Sequence, residues 1–256
     1  MRIPSRPFRA LVLATLTLAS CSSDAASPAN TDAPATTDAP TTTAASPGGT
    51  TTAPDSTVEA AGVSSTFRAE VWVDNWFSLT VNGVAVGEDS VPITTERSFN
   101  AETIEFSATY PLTVAFVTKD YKETDSGLEY IGTERQQMGD GGFIAQITDT
   151  ATGKVVLTTT DAWRGLVIHR APLNQDCVTS ADPKTDCQFE AQDEPAGWTD
   201  AGFDDSAWPT AAVYTAAEVG AKEGYDTITW SPDAVLIWTS DLKVDNTILW
   251  RATVSG

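Results

Sequence analysis

The sequence predicts an all-β sandwich, carried behind a signal peptide and a disordered linker. Three observations lead there. Short apolar runs separated by Gly, Asn, Asp and Pro recur along residues 66–256, and several alternate with period two. No amphipathic pattern long enough for more than a few helical turns interrupts them. All eight Trp fall in that stretch, whereas residues 22–65 hold no aromatic residue and no Lys or Arg.

The N-terminus reads as an address. Arg2, Arg6 and Arg9 form a basic region before the apolar run Ala10–Leu18, which is too short to span a bilayer and suits a signal peptide over residues 1–20. Leu18-Ala19-Ser20-Cys21 resembles the bacterial lipobox. That resemblance implies cleavage before Cys21, a diacylglycerol thioether on its sulfur, and a protein held outside the cytoplasm by its lipid anchor. The alternative is an ordinary secretory signal with a chance cysteine. Residues 21–65, rich in Ala, Thr, Ser and Pro, bury too little apolar surface to offset their ordering entropy and are expected to form a disordered tether.

The formal net charge of -20 argues against nucleic acid and anionic headgroups as partners. One His excludes multi-His zinc sites, and the many Asp and Glu make calcium the only metal that composition favours.

The folded part, residues 66–256, divides as follows. Phe67, Ala69, Val71 and Val73 alternate with polar neighbours and Trp72, and Phe77, Leu79 and Val81 alternate with Ser78 and Thr80; each set predicts a half-buried strand. A tight turn is expected at Asp74-Asn75 and a type I′ hairpin turn at Asn82-Gly83. Ser98–Phe106 and Leu112–Thr118 are strands joined near Pro111. Lys119–Gly142 is a long polar loop. Phe143–Ile147 and Lys154–Thr158 form a hairpin, and Trp163–Ile168, Val235–Trp238 and Thr247–Val254 complete the strands. Cys177 and Cys187 should be oxidised in an exported protein, stabilising it by roughly 2–3 kcal/mol. Asp204–Trp208 reads as a capped helical turn closed by a buried indole.

Several of these segments together carry a family resemblance: Asp74-Asn75 with Leu79–Gly83, Gly141–Ala145, Thr160–Trp163, Gly197-Trp198, Phe203–Trp208 and Ile248–Arg251. They resemble the galactose-binding-like jelly-roll domains attached to bacterial glycoside hydrolases such as rhamnosidases and β-galactosidases. The resemblance implies a jelly roll, carbohydrate binding without catalysis, and a structural calcium ion. Lys119–Gly142 and Asn174–Pro195 look like insertions relative to a minimal domain of this kind, and no catalytic domain accompanies the module.

Trp72 and Trp76 fall in the polar phase of their strands. Either they stack on sugar rings, with Asp74 or Asn75 bonding hydroxyls, or loops or the Phe203–Trp208 segment cover them. Asp120, Glu123, Asp125 and Asp140 are the candidate calcium ligands, though their spacing is not that of an EF-hand; the alternative is a solvated acidic loop. Asp204 and Asp205 read as caps rather than paired catalytic carboxylates, and no nucleophile elbow supports Ser206 with His169. The function expected is a membrane-anchored, non-catalytic carbohydrate-binding lipoprotein. The competing expectation is an adhesion or assembly module that contacts an envelope protein, with a hydrolase behind both.

Overall fold

The computed structural model describes residues 62, 64–94, 100–120 and 124–256, all within the compact unit Val58–Gly256. Cys21, Glu123, the signal segment and the tether therefore lie outside the described residues. In chain order the strands are β1 (Ser65–Asp74), β2 (Trp76–Val81), β3 (Val84–Glu88), β4 (Ala101–Ala108), β5 (Leu112–Lys119), β6 (Leu128–Glu129) and β7 (Gln137–Met138). They continue with β8 (Gly142–Asp149), β9 (Lys154–Thr158), β10 (Arg164–Arg170), β11 (Glu190–Ala191), β12 (Ala212–Tyr214), β13 (Leu236–Trp238) and β14 (Asp245–Val254). The helices described are single turns, the α-helical ones being α1 (Pro183–Asp186) and α2 (Ala216–Val219). Among the described residues no helix is long and apolar enough to cross a membrane.

The strands build an antiparallel all-β sandwich. One sheet runs β12-β13-β8-β1-β4 with β9 paired to β8, and the other runs β11-β10-β14-β5-β2-β3. Inward positions follow the predicted period: Phe67, Ala69, Val71 and Val73 from one sheet meet Phe77, Leu79, Val114, Phe116, Ile248 and Trp250 from the other. The centre is aromatic, with Phe116 4.9 Å from Phe143 and Trp238 6.3 Å from Trp250 between ring centroids.

Asp74-Asn75 is not a hairpin turn. β1 and β2 lie in different sheets, and Asn75 is the corner at which the chain passes from one to the other. Asn75 enters the second sheet by donating its backbone N–H to the Lys119 carbonyl at 2.8 Å. The hairpin at Asn82-Gly83 has positive φ at both residues, 52° and 75°, as a type I′ turn requires. The β8–β9 hairpin also forms. β4 extends to Ala108 and β10 to Arg170, beyond the predicted ends.

Both outer faces are covered by the chain itself. Over the β14-centred sheet lies a strap of residues 192–208, whose Trp198 and Trp208 pack with Phe203 on Ala115, Leu166, Ile168 and Leu249. Arg251, from the middle of β14, ties it down. Its guanidinium donates to Asp205 Oδ2 at 2.7 Å and to the carbonyls of Trp198 and Asp200, and it sits 5.3 Å from the Phe203 ring. The predicted helical turn at Asp204–Trp208 is a hydrogen-bonded turn without a helix, in which Asp204 Oδ1 accepts from the Ser206 N–H.

The β1-centred sheet is covered by residues 214–236. Here Val219, Tyr225, Trp230 and Leu236 bury Trp72 and Ile144. Gln146 anchors this strap at both ends of its amide, donating to the Thr229 carbonyl and accepting from the Ser231 N–H at 2.6 Å. A capping box between Thr215 and Glu218 starts α2, and Gly220 in the left-handed region ends it.

Along one flank β3 and β4 are the outermost strands of the two sheets, and they approach closely enough that a methyl on Gly87 would lie 2.7 Å from Ile104 Cδ1. Burial pushes the Asp89 carboxyl beside this flank up to about 6, with Glu102 adding to the effect.

Candidate functional site

Five strand ends converge on one end of the sandwich: those carrying Asp74 (β1), Trp76 (β2), Lys119 (β5), Gly142 (β8) and Asp245 (β14). Strand pairing fixes this, since Asp74 faces Gly142, Trp76 faces Lys119, and the Asp120 N–H donates to the Asn246 carbonyl at 2.9 Å. Asp74, Asn75, Asp120 and Asn246 are all buried.

Asp74 is the most perturbed group there. Its carboxyl is raised well above the ordinary value, first by burial and then by the nearby charges of Asp140 and Glu129. Lys222 and a hydrogen bond from the Asn75 amide pull the other way. Asn75 Nδ2 donates to Asp74 Oδ1 at 2.5 Å, so the carboxyl is held against its own neighbour.

The Gly-Asp-Gly run at 139–141 places Asp140. A methyl on Gly139 would fall 1.9 Å from Asp120 Oδ2, and one on Gly141 would fall 2.2 Å from the Trp238 ring. Only glycines let the backbone lie this close, and Asp140 is fixed between them. Burial raises its carboxyl, while Lys222 and Lys243 lower it. Gln137, Met138, Gly139, Asp140, Val178 and Lys243 then line an open groove of about 330 Å³. The groove combines a carboxylate, an ammonium and an amide with two apolar side chains.

The two inserted loops meet at the only histidine. His169 is buried, its ring stacks on Phe189 at 5.7 Å, and Nε2 lies 3.3 Å from Asp125 Oδ1. The Cys177–Cys187 disulfide, with Cα atoms 5.2 Å apart, closes the second loop, and Leu128 of the first packs against both cysteines.

The sequence-derived candidates are thus distributed unevenly. Asp74, Asn75, Asp120 and Asp140 lie at one end, and Asp125 is at His169. Trp72 is fully buried under residues 214–236, its indole N–H donating to the Glu223 carbonyl at 3.1 Å and its ring edge-on to Tyr225. The Phe203–Trp208 segment covers the other sheet instead. Trp76 is half-buried with the Lys119 ammonium 5.0 Å from its ring centroid. Among the described residues no three His, Cys, Asp or Glu side chains form a group able to hold a metal. Glu129, Lys222 and Lys243 had no local signature in the sequence. The Gly139–Gly142 glycines were the signal of close backbone approach.

An Asp whose folded pKa is raised contributes stability below its unfolded value near 3.8 and loses that contribution as pH rises through the folded value. Asp74→Asn keeps the acceptor for Asn75 and removes the buried charge. The expected result is a gain of about 1–3 kcal/mol at pH 8, shrinking towards zero at pH 4. Denaturant melts of the two proteins across that range check it, and a variant less stable than wild type at pH 8 would refute the assignment.

The chain has no significant match to a protein-family model, to a curated protein or to a solved structure.

Proposed function

We propose that the chain is a lipid-anchored extracytoplasmic protein whose sandwich is a galactose-binding-like jelly roll that binds carbohydrate without catalysis. The observation that carries the reading is the groove lined by Gln137, Met138, Asp140, Val178 and Lys243 at the loop-rich end of the sandwich. A sugar ring presents hydroxyls that both donate and accept, and C–H faces that prefer apolar contact. Carboxylate, ammonium and amide supply the polar partners, while Met138 and Val178 supply the apolar ones. The jelly-roll assignment draws support from the chain path, which changes sheet at β1–β2, β4–β5 and β13–β14. Against catalysis, Asp74 has a shifted pKa but is buried and bonded to Asn75, out of reach of a substrate.

A glycan array probed with Val58–Gly256 tests the binding. The expected outcome is saturable binding to a defined glycan class, weakened at least tenfold in Asp140→Ala with Lys243→Ala. If no glycan binds while cross-linking on cells recovers an envelope protein, the reading gives way to an assembly module. The anchor is tested separately by Cys21→Ser, which should abolish acylation and release the protein from membranes. Undiminished membrane retention would remove the lipoprotein half of the proposal.

A further inference from the structure

Where β3 ends and β4 begins, oxygen atoms gather without donors to meet them. Asp89 is 5% exposed, and its Oδ1 accepts from the Val91 N–H at 2.8 Å. Its Oδ2 is buried and has no hydrogen-bond partner. Asn100 Oδ1, across the connection, is likewise buried without a partner. Between them lies Glu102, whose Oε1 accepts from the Ser90 N–H at 3.1 Å, from Ser90 Oγ at 2.5 Å and from Asn100 Nδ2. Asn100 Nδ2 also reaches Ser90 Oγ at 3.4 Å. These contacts bring Asp89, Ser90, Asn100 and Glu102 into one cluster holding two carboxylates, an amide and a hydroxyl, and no cationic side chain pairs with either carboxylate.

A buried carboxylate oxygen and a buried amide oxygen lacking donors each carry a desolvation cost of about 1–3 kcal/mol, more where charge is involved. Two such acceptors beside a second carboxylate need positive charge more than another acceptor. We infer that Asp89, Asn100 and Glu102, with Ser90 at the rim, form a calcium site. The ligand set is all oxygen and mixes carboxylate, amide and hydroxyl, which suits calcium's flexible coordination at 2.3–2.6 Å, on general grounds, better than magnesium's strict octahedron. Water molecules would complete the coordination shell.

The location gives such an ion a task. β3 is the outermost strand of one sheet and β4 of the other, so Asp89 follows one edge and Glu102 belongs to the opposing edge. An ion bound to both ties the two sheets along an otherwise open flank. This site is separate from the Asp120, Asp125 and Asp140 set.

Calorimetry of the full chain with calcium chloride, after stripping with chelator, tests the inference. One calcium ion should bind per chain, and calcium should raise the melting temperature. Asp89→Asn and Glu102→Gln should each weaken binding at least tenfold and reduce the calcium-dependent shift, while both remain folded without calcium because each replacement is isosteric and removes a charge. No saturable binding would overturn the site, and so would wild-type affinity in both variants. Neither result bears on glycan binding at Asp140 and Lys243, which is read out separately.

Discussion

Arg251→Met is expected to destabilise the domain by about 3–5 kcal/mol, lowering its melting temperature by roughly 10 °C. The side chain is buried at 3% exposure in the middle of β14, and its partners are the carboxylate of Asp205 and two backbone carbonyls of the 192–208 strap. Methionine fills much of the same volume but leaves all three acceptors without their donor. Trp198, Phe203 and Trp208 then lose the group that holds their strap over Leu249. Arg251→Lys restores charge without the planar fork and should recover only part of the loss. Asp205→Asn should cost much less, since that carboxylate is 28% exposed and water replaces the pair. Urea denaturation of the three variants checks the order, and an Arg251→Met loss below about 1 kcal/mol would mean that the strap is not fastened through this residue.

Trp72→Ala should cost a similar amount, about 3–5 kcal/mol, through the cavity left between the sheet and residues 214–236. The indole is fully buried, and its removal also strands the Glu223 carbonyl. Trp76→Ala, at a half-buried position, should cost no more than about 1 kcal/mol. The contrast is diagnostic because the two indoles are four residues apart and occupy the same phase of the pattern. Equal losses in denaturant midpoint would contradict the placement of the second strap.

That pair also marks the limit of what the sequence disclosed. Period two correctly divided Phe67–Val73 and Phe77–Val81 into inward and outward positions, because alternation follows from strand geometry alone. It could not state that the outward face at Trp72 is dry. The residues that cover it, Val219, Tyr225 and Trp230, lie far away in the chain and have no periodic signature of their own. Sheet membership was hidden for the same reason: the Asp74-Asn75 breaker fits a hairpin and a corner between sheets equally well. Asn82-Gly83 was legible because a type I′ turn has a narrow residue requirement, and Cys177 and Cys187 because only two cysteines remain beyond the signal segment. At the candidate site, Asp74, Asn75, Asp120 and Asp140 were singled out on separate local grounds, and their meeting at one end is a product of topology. Lys222 and Lys243 bear on Asp140 only after the β13–β14 region has folded back, so no stretch of sequence announces them.

The position of β14 governs the order of events at birth. It pairs with β10 on one side and β5 on the other, yet it is the last strand described. A nascent chain halted at Asp241 holds β5 and β10 as two separate edges with nothing to join them, and the strap over this sheet has no Arg251 to fasten it. Vectorial synthesis or transport therefore cannot lock this half of the sandwich step by step. The closing event waits until Val254 has emerged, and until then the chain is a substrate for chaperones and proteases rather than a folded domain.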